Sequence, residues 1–193
     1  MFYYKLLLGI LAVIIGIFSY IPYFRDLFAG KTKPHAFSWF VWAILTGIAF
    51  AAQINQHAGP GAWITGITAL VCLIVSIISI IKGKRDFPLF DWLCLISSFF
   101  AIVLWWYTKN PTASVILITI TDALAFLPTF RKSYHSPHEE TAIMFAFASV
   151  KFALALVALQ TYTIATYLYP ASLVFMNGIF VAMLIIRRKQ LKK

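Results

Sequence analysis

Seven stretches of almost unbroken apolar residues, at about 5–23, 36–54, 62–82, 90–108, 112–130, 141–159 and 162–186, run along the chain. Polar or proline-bearing breaks part them: RDLFAGKTKPH, NQHAGPG, KGKRDFP, TKNP, RKSYHSPHEE and a very short QTY. A hydrocarbon layer of about 30 Å needs about 20 mostly apolar residues per helix, so each stretch is long enough to span it. Because the bilayer core offers no water to the backbone, such spans must be helices that satisfy their own hydrogen bonds. The pattern therefore predicts an all-α integral membrane protein of seven transmembrane helices. The first stretch has no small-residue cleavage site and flows straight into a full span, which predicts a retained helix and not a removed signal peptide.

Composition agrees. Of 193 residues, 62% are apolar and only 11% charged, against about 25% charged in an average soluble domain. The length accommodates seven or eight spans with short loops and leaves no room for a separate soluble domain. Cys72 and Cys94 lie inside apolar stretches without metal-ligand spacing, so they carry no information on redox compartment.

The net charge of +10 would suggest nucleic acid in a soluble chain, but its distribution has another cause. With the amino terminus outside, Arg25, Lys31, Lys33, Lys82, Lys84, Arg85, Arg131, Lys132, Arg187, Arg188, Lys189, Lys192 and Lys193 all fall on the cytoplasmic side. Only Lys5 and Lys109 fall outside, and Lys151 lies within a span. That asymmetry predicts an external amino terminus, a cytoplasmic carboxyl terminus and contact with anionic lipid at the inner face, and it leaves no need for a nucleic-acid partner.

The chain also repeats itself. Pro22, Phe24 and Arg25 align with Pro128, Phe130 and Arg131; after a gap, Pro34, His35 and Ser38 align with Pro137, His138 and Thr141. Both copies sit at the cytoplasmic end of a helix that starts outside, so the duplication is parallel. The expected organisation is a three-helix repeat over 1–83, a linker helix over 84–110, and a second three-helix repeat with a basic tail over 111–193. Pro22 and Pro128, near the ends of their spans, remove a backbone hydrogen bond and crowd the preceding turn. They serve either as hinges or simply as stops to the span.

These features together resemble the PQ-loop superfamily, which includes SWEET sugar transporters, their half-sized bacterial relatives, cystinosin-like amino-acid exporters and KDEL receptors. The resemblance covers nearly the whole chain through its three-one-three duplication, outside amino terminus and first-helix prolines, although Tyr23 and Thr129 stand where the family often has glutamine. It implies alternating access about hinges at Pro22 and Pro128. It also implies a substrate-contacting asparagine in the third helix of a repeat, matched by Asn177 in the seventh span and by none in the third.

Charged groups inside a membrane are expensive and functional by default. Asp122 lies eleven residues beyond Pro111 and Lys151 eleven beyond Glu140, which puts each about 16 Å deep, near the midplane. Spans five and six are consecutive and antiparallel, so Asp122 and Lys151 are expected either to pair or to face a wet cavity, with Asp122 a candidate proton carrier. Thr65, Thr68, Cys72, Ser76 and Ser79 form one weakly polar stripe on the third span, fit either for a cavity wall or for close helix packing. Of six tryptophans, Trp105 and Trp106 fit an outer interfacial belt and Trp39 and Trp92 an inner one, while Trp42 and Trp63 lie slightly deeper and fit either the belt or stacking on a sugar or nucleoside ring. His135, His138, Glu139 and Glu140 cluster without the spacing of a helical zinc site, so no metal is expected. His35 and His138, at matching places after proline, read either as sensors of cytoplasmic pH or as loop histidines at the headgroups. The last span has no lysine before Arg187 to hold a retinal, and no cofactor motif is present.

The leading expectation is a transporter that moves a small polar solute by alternating access, with possible coupling to protons. Its rival is a KDEL-receptor-like ligand receptor without flux, for which Arg25, Arg131 and Lys132 would form a cytoplasmic partner face. An enzyme is not expected, since no nucleophile–base constellation stands out.

Overall fold

The computed structural model describes residues 2–82, 88–108 and 110–191. Lys84, Arg85, Lys109, Lys192, Lys193 and the 83/84 boundary lie outside the described residues, as do the side chains of Lys82, Cys94 and Trp105. Among the described residues the chain is helical and strand-free: α1 (Phe2–Phe28), α2 (Ala36–Asn55), α3 (Trp63–Lys82), α4 (Leu89–Thr108), α5 (Pro111–His135), α6 (Ala142–Ala158) and α7 (Ile164–Gln190), with short 3-10 turns at Gly59–Ala62 and Pro137–Glu139. Five segments, Tyr3–Phe28, Ala36–Asn55, Gly59–Ile81, Thr112–His135 and Ile164–Gln190, are long and apolar enough to cross a membrane, as a multi-pass membrane protein requires. The apolar helix Ala142–Ala158 is shorter.

Local sequence sets the helix starts. Asn110 caps α5 by accepting from the Thr112 and Ala113 amides at 2.9 and 3.2 Å, and Pro111 follows at the first turn, where its missing N–H is no loss. Thr163 and Thr166 close a reciprocal cap at the start of α7. Pro22 and Pro128 do not stop their helices: α1 runs six residues past Pro22 and α5 seven past Pro128. One lost hydrogen bond is outweighed by the helix-forming turns beyond it, which carry Arg25, Arg131 and Lys132 away from the apolar span.

Polar side chains are drawn into the apolar core of the bundle, while its outer face is covered by large apolar ones. Leu7, Leu70, Ile77, Ile80 and Phe175 are exposed, whereas Thr65, Thr68, Ser76, Ser79, Thr121, Asp122, Lys151 and Asn177 are buried. Helix α3 stands between α1 and α2, and α7 between α5 and α6. Across the middle, α1 packs on α6 and α2 on α5, while α4 lies along α5 and touches α2.

At the end bearing the basic residues, ionic contacts tie the loops together. Asp91, in the first turn of α4 and fully buried, receives a two-pronged contact from Arg131 at 3.1 and 2.7 Å and faces His35 Nε2 at 2.9 Å. His35 is thus a buried latch residue and not a headgroup histidine. Burial outweighs the pull of Asp91 and holds its pKa below the ordinary 6.5. Lys132, fully buried, bonds Glu140 and donates to the Lys33 carbonyl at 2.6 Å, and Lys33 pairs with Glu139 at 2.6 Å. Burial pushes the Glu140 carboxyl up despite its lysine partner. Arg188 donates to the carbonyls of Pro137 and Glu140. Arg25, by contrast, is exposed and touches Asp26. The three cations expected to form one partner face are therefore spread over different contacts, and Lys132 is not on the surface.

The opposite end closes by backbone proximity. A Cβ added to Gly61 would sit 2.6 Å from the Ala155 carbonyl oxygen, and one added to Gly9 would sit 2.5 Å from Pro60 Cβ, so glycine is what permits α1, the 59–62 turn and α6 to touch. Lys5 Nζ caps the Leu159 carbonyl at 2.6 Å, and the Gln160 amide donates to the Ala58 carbonyl.

Candidate functional site

Between the two closed ends, midway along the helices, lies a small cavity. Tyr20 from α1, Trp39, Trp42 and Thr46 from α2 and Thr68 from α3 form one wall. Asp122 and Phe126 from α5, Phe145 and Lys151 from α6 and Tyr169 and Asn177 from α7 form the other. Its volume is about 50 Å³, room for a few waters at most and far below the ~300–1,000 Å³ of a loaded ligand pocket.

Lys151 reaches across the bundle. Its Nζ donates to Tyr20 Oη at 2.6 Å and to Thr68 Oγ1 at 3.1 Å, and it lies 4.4 Å from the Tyr20 ring centre. The Thr68 hydroxyl passes its own proton to the Ile64 carbonyl, so it is free to accept from lysine. Gly16 on α1 leaves space for this: a Cβ there would approach Lys151 Cδ to 3.3 Å and Ile64 Cδ1 to 2.4 Å. Asp122 is held from α7, where Tyr169 Oη donates to Oδ1 at 3.1 Å, and Oδ2 is buried without a protein partner.

Asp122 and Lys151 thus face one cavity but form no ion pair with each other. The physical reason is that α7 separates α5 from α6, so these consecutive helices are not packed neighbours. Among the described residues, the ion pairs lie at the basic end, and none involves either group. Asn177 lines the cavity with its Nδ2 given to the Leu173 carbonyl at 2.7 Å.

The stripe on α3 divides. Thr68 reaches the cavity, whereas Thr65, Cys72, Ser76 and Ser79 are buried in helix packing, with Ser79 bonding back to the Val75 carbonyl. Cys72 is a core thiol behind the wall and not part of the lining. Trp42 lines the cavity against Phe126, at 4.5 Å between ring centres. Trp63 is partly exposed and lines an apolar groove on the outer face of α2 and α3, so it does not meet a solute in the cavity. Trp39, read as a belt residue, is instead buried against Tyr23 and Trp42, while Trp92 and Trp106 are exposed as belt residues would be. Pro22 and Pro128 sit within α1 and α5, two residues beyond the lining residues Tyr20 and Phe126.

Sequence reasoning missed Tyr20 and Tyr169, the hydroxyls that hold the two charges. A signal existed: each directly precedes, by one or two positions, a proline inside a helix. It also missed Gln53, whose Nε2 donates at 3.2 Å to the Thr166 carbonyl, the acceptor that Pro170 leaves without its helical partner. Asp91 was not singled out because its partners are 56 and 40 residues away in sequence. The histidine and glutamate cluster at 135–140 is dispersed by Lys33 and Lys132, and among the described residues no three metal-ligating side chains converge. In comparison with family models, curated proteins and solved structures, the chain gives no significant match.

Proposed function

We propose that the chain is a seven-span transporter of the PQ-loop and SWEET-like type, moving a small polar solute by alternating access between two parallel three-helix repeats joined by α4. Helix order supports the duplication, since in each half the third helix stands between the first and second, and each first helix packs on the second helix of the other half. Matching positions line the cavity. Tyr20 and Phe126 each lie two residues before the repeated proline, and Trp42 and Phe145 each lie four after the repeated Ser38 and Thr141. The basic residues at one end make that end cytoplasmic by the positive-inside rule, which sets the amino terminus outside.

The observation that carries the reading is a buried carboxylate and a buried ammonium on one midspan cavity, without a mutual salt bridge. A purely structural pair would be expected to close on itself, because an isolated charge at this depth costs at least about 2.5–3.5 kcal/mol. In this reading the latch of His35, Asp91 and Arg131 and the Lys132–Glu140 pair form the cytoplasmic gate, and the Gly9, Gly61 and Lys5 contacts form the outer one. Asp122, with a free oxygen, is the group to which proton coupling is assigned.

The test is solute flux into liposomes carrying the purified protein, at pH 6 and pH 8. Saturable flux whose pH dependence vanishes in Asp122→Asn supports a proton-coupled transporter. Flux with an unchanged pH response removes the coupling, and tight ligand binding without flux favours the receptor class.

A further inference from the structure

We propose that the cavity takes a small zwitterion, an α-amino acid with an uncharged side chain, its carboxylate on Lys151 Nζ and its ammonium on Asp122 Oδ2. The inference deepens the transporter reading and rests on it for the use of the site.

The two charges have complementary vacancies. An ammonium has three donors; Lys151 uses two, on the neutral oxygens of Tyr20 and Thr68, which leaves one for an anion. Asp122 spends Oδ1 on Tyr169 and keeps Oδ2 unpartnered although buried. The remaining lining side chains carry no charge: Phe126, Met144, Phe145, Ala148, Phe152 and Leu173 are apolar, Thr46 and Asn177 are neutral, and Trp39 and Trp42 are aromatic, their indole N–H groups buried without a partner and able to donate to a solute oxygen. The Thr46 hydroxyl bonds the Trp42 carbonyl and the Asn177 amide bonds the Leu173 carbonyl, so both already have partners within their own helices.

The wall is therefore neutral in sum, with one charge of each sign, and the matching solute is neutral in sum with one charge of each sign. An amine would leave the third Lys151 donor without an anion, and a carboxylate would leave Asp122 Oδ2 without a donor. A sugar would meet both with neutral hydroxyls, which can hydrogen-bond the two charges but neutralise neither. The surrounding rings favour an apolar side chain on the solute, and the closed volume of about 50 Å³ means that loading occurs in a wider state.

The experiment is counterflow of labelled leucine in proteoliposomes, competed with 3-methylbutylamine, 4-methylpentanoate and glucose, alongside thermal stabilisation of the detergent-purified protein by the same four compounds. Leucine is expected to exchange and to stabilise. The two singly charged analogues are expected to compete roughly 10- to 100-fold more weakly, the worth of one charged hydrogen bond. Asp122→Asn should abolish the advantage of leucine over the acid, and Lys151→Met its advantage over the amine. Asp122→Glu and Lys151→Arg, which keep the charges, should retain part of each preference even if the neutral variants fold poorly. Leucine binding that depends on both charges but brings no exchange would uphold the ligand class while overturning the transporter. Exchange of glucose but not leucine would keep the transporter and overturn the zwitterion. Leucine exchange that is indifferent to both substitutions, or neither exchange nor stabilisation by leucine, would also overturn it.

Discussion

Lys132 and Glu140 show what a buried pair at the end of the bundle demands. Both are shut away from water, and Lys132 also serves the Lys33 carbonyl. Removing one partner strands a buried charge, a loss of about 3–5 kcal/mol, whereas replacing both by apolar groups is often neutral. Lys132→Met should therefore lower the melting temperature sharply, and Lys132→Met with Glu140→Leu should recover most of it; equal losses in the single and double variants would contradict the pairing. His35 gives a prediction in pH. Its folded pKa lies below 6.5 because of burial, so the unfolded chain takes up a proton that the closed latch resists. Stability from this group is whole above about pH 6.5 and falls as acid is added. Between pH 7.5 and 5.5 the wild type should lose more thermal stability than His35→Gln, and parallel losses would assign the effect elsewhere. The midspan charges were legible in the sequence because Asp and Lys within apolar stretches have few innocent explanations. Their partners were not, since Tyr20, Thr68 and Tyr169 are separated from them by 131, 83 and 47 residues.

At the scale of helices, periodicity and breaks gave positions within a few residues for α2, α3, α4 and α6, while α1, α5 and α7 run on beyond their apolar stretches because helix geometry does not end where hydrophobicity does. Hydropathy reports solvent, and helix continuity follows local propensity. That difference matters for Pro22 and Pro128. Each interrupts a continuing helix, so it can act as a bend between the cavity-lining residues Tyr20 and Phe126 and the charged turns that carry Arg25 and Arg131. Pro22→Ala with Pro128→Ala restores two backbone donors and stiffens both helices. The double variant is expected to fold at least as well as the wild type by melting temperature and to show flux lowered about tenfold or more, a gating effect of about 1.4 kcal/mol. Undiminished flux would leave the prolines no hinge role.

For the whole molecule, the order of spans was readable but their neighbours were not. The sequence left open whether Asp122 and Lys151 pair directly or face a wet cavity; α7 lies between α5 and α6, and the two groups line a common cavity without pairing. Sequence adjacency fixes which helices are antiparallel; packing of small and aromatic faces decides which ones touch. The account stands on that cavity being reached from each side in turn. The most direct measurement places a single cysteine in place of Asn177, with Cys72 and Cys94 replaced by alanine, and labels it with a membrane-impermeant thiol reagent added to one face or the other of sealed vesicles. Labelling from both faces, slowed from each by a saturating solute, is the predicted result. Labelling from one face only, or from neither while the protein remains folded, would contradict alternating access.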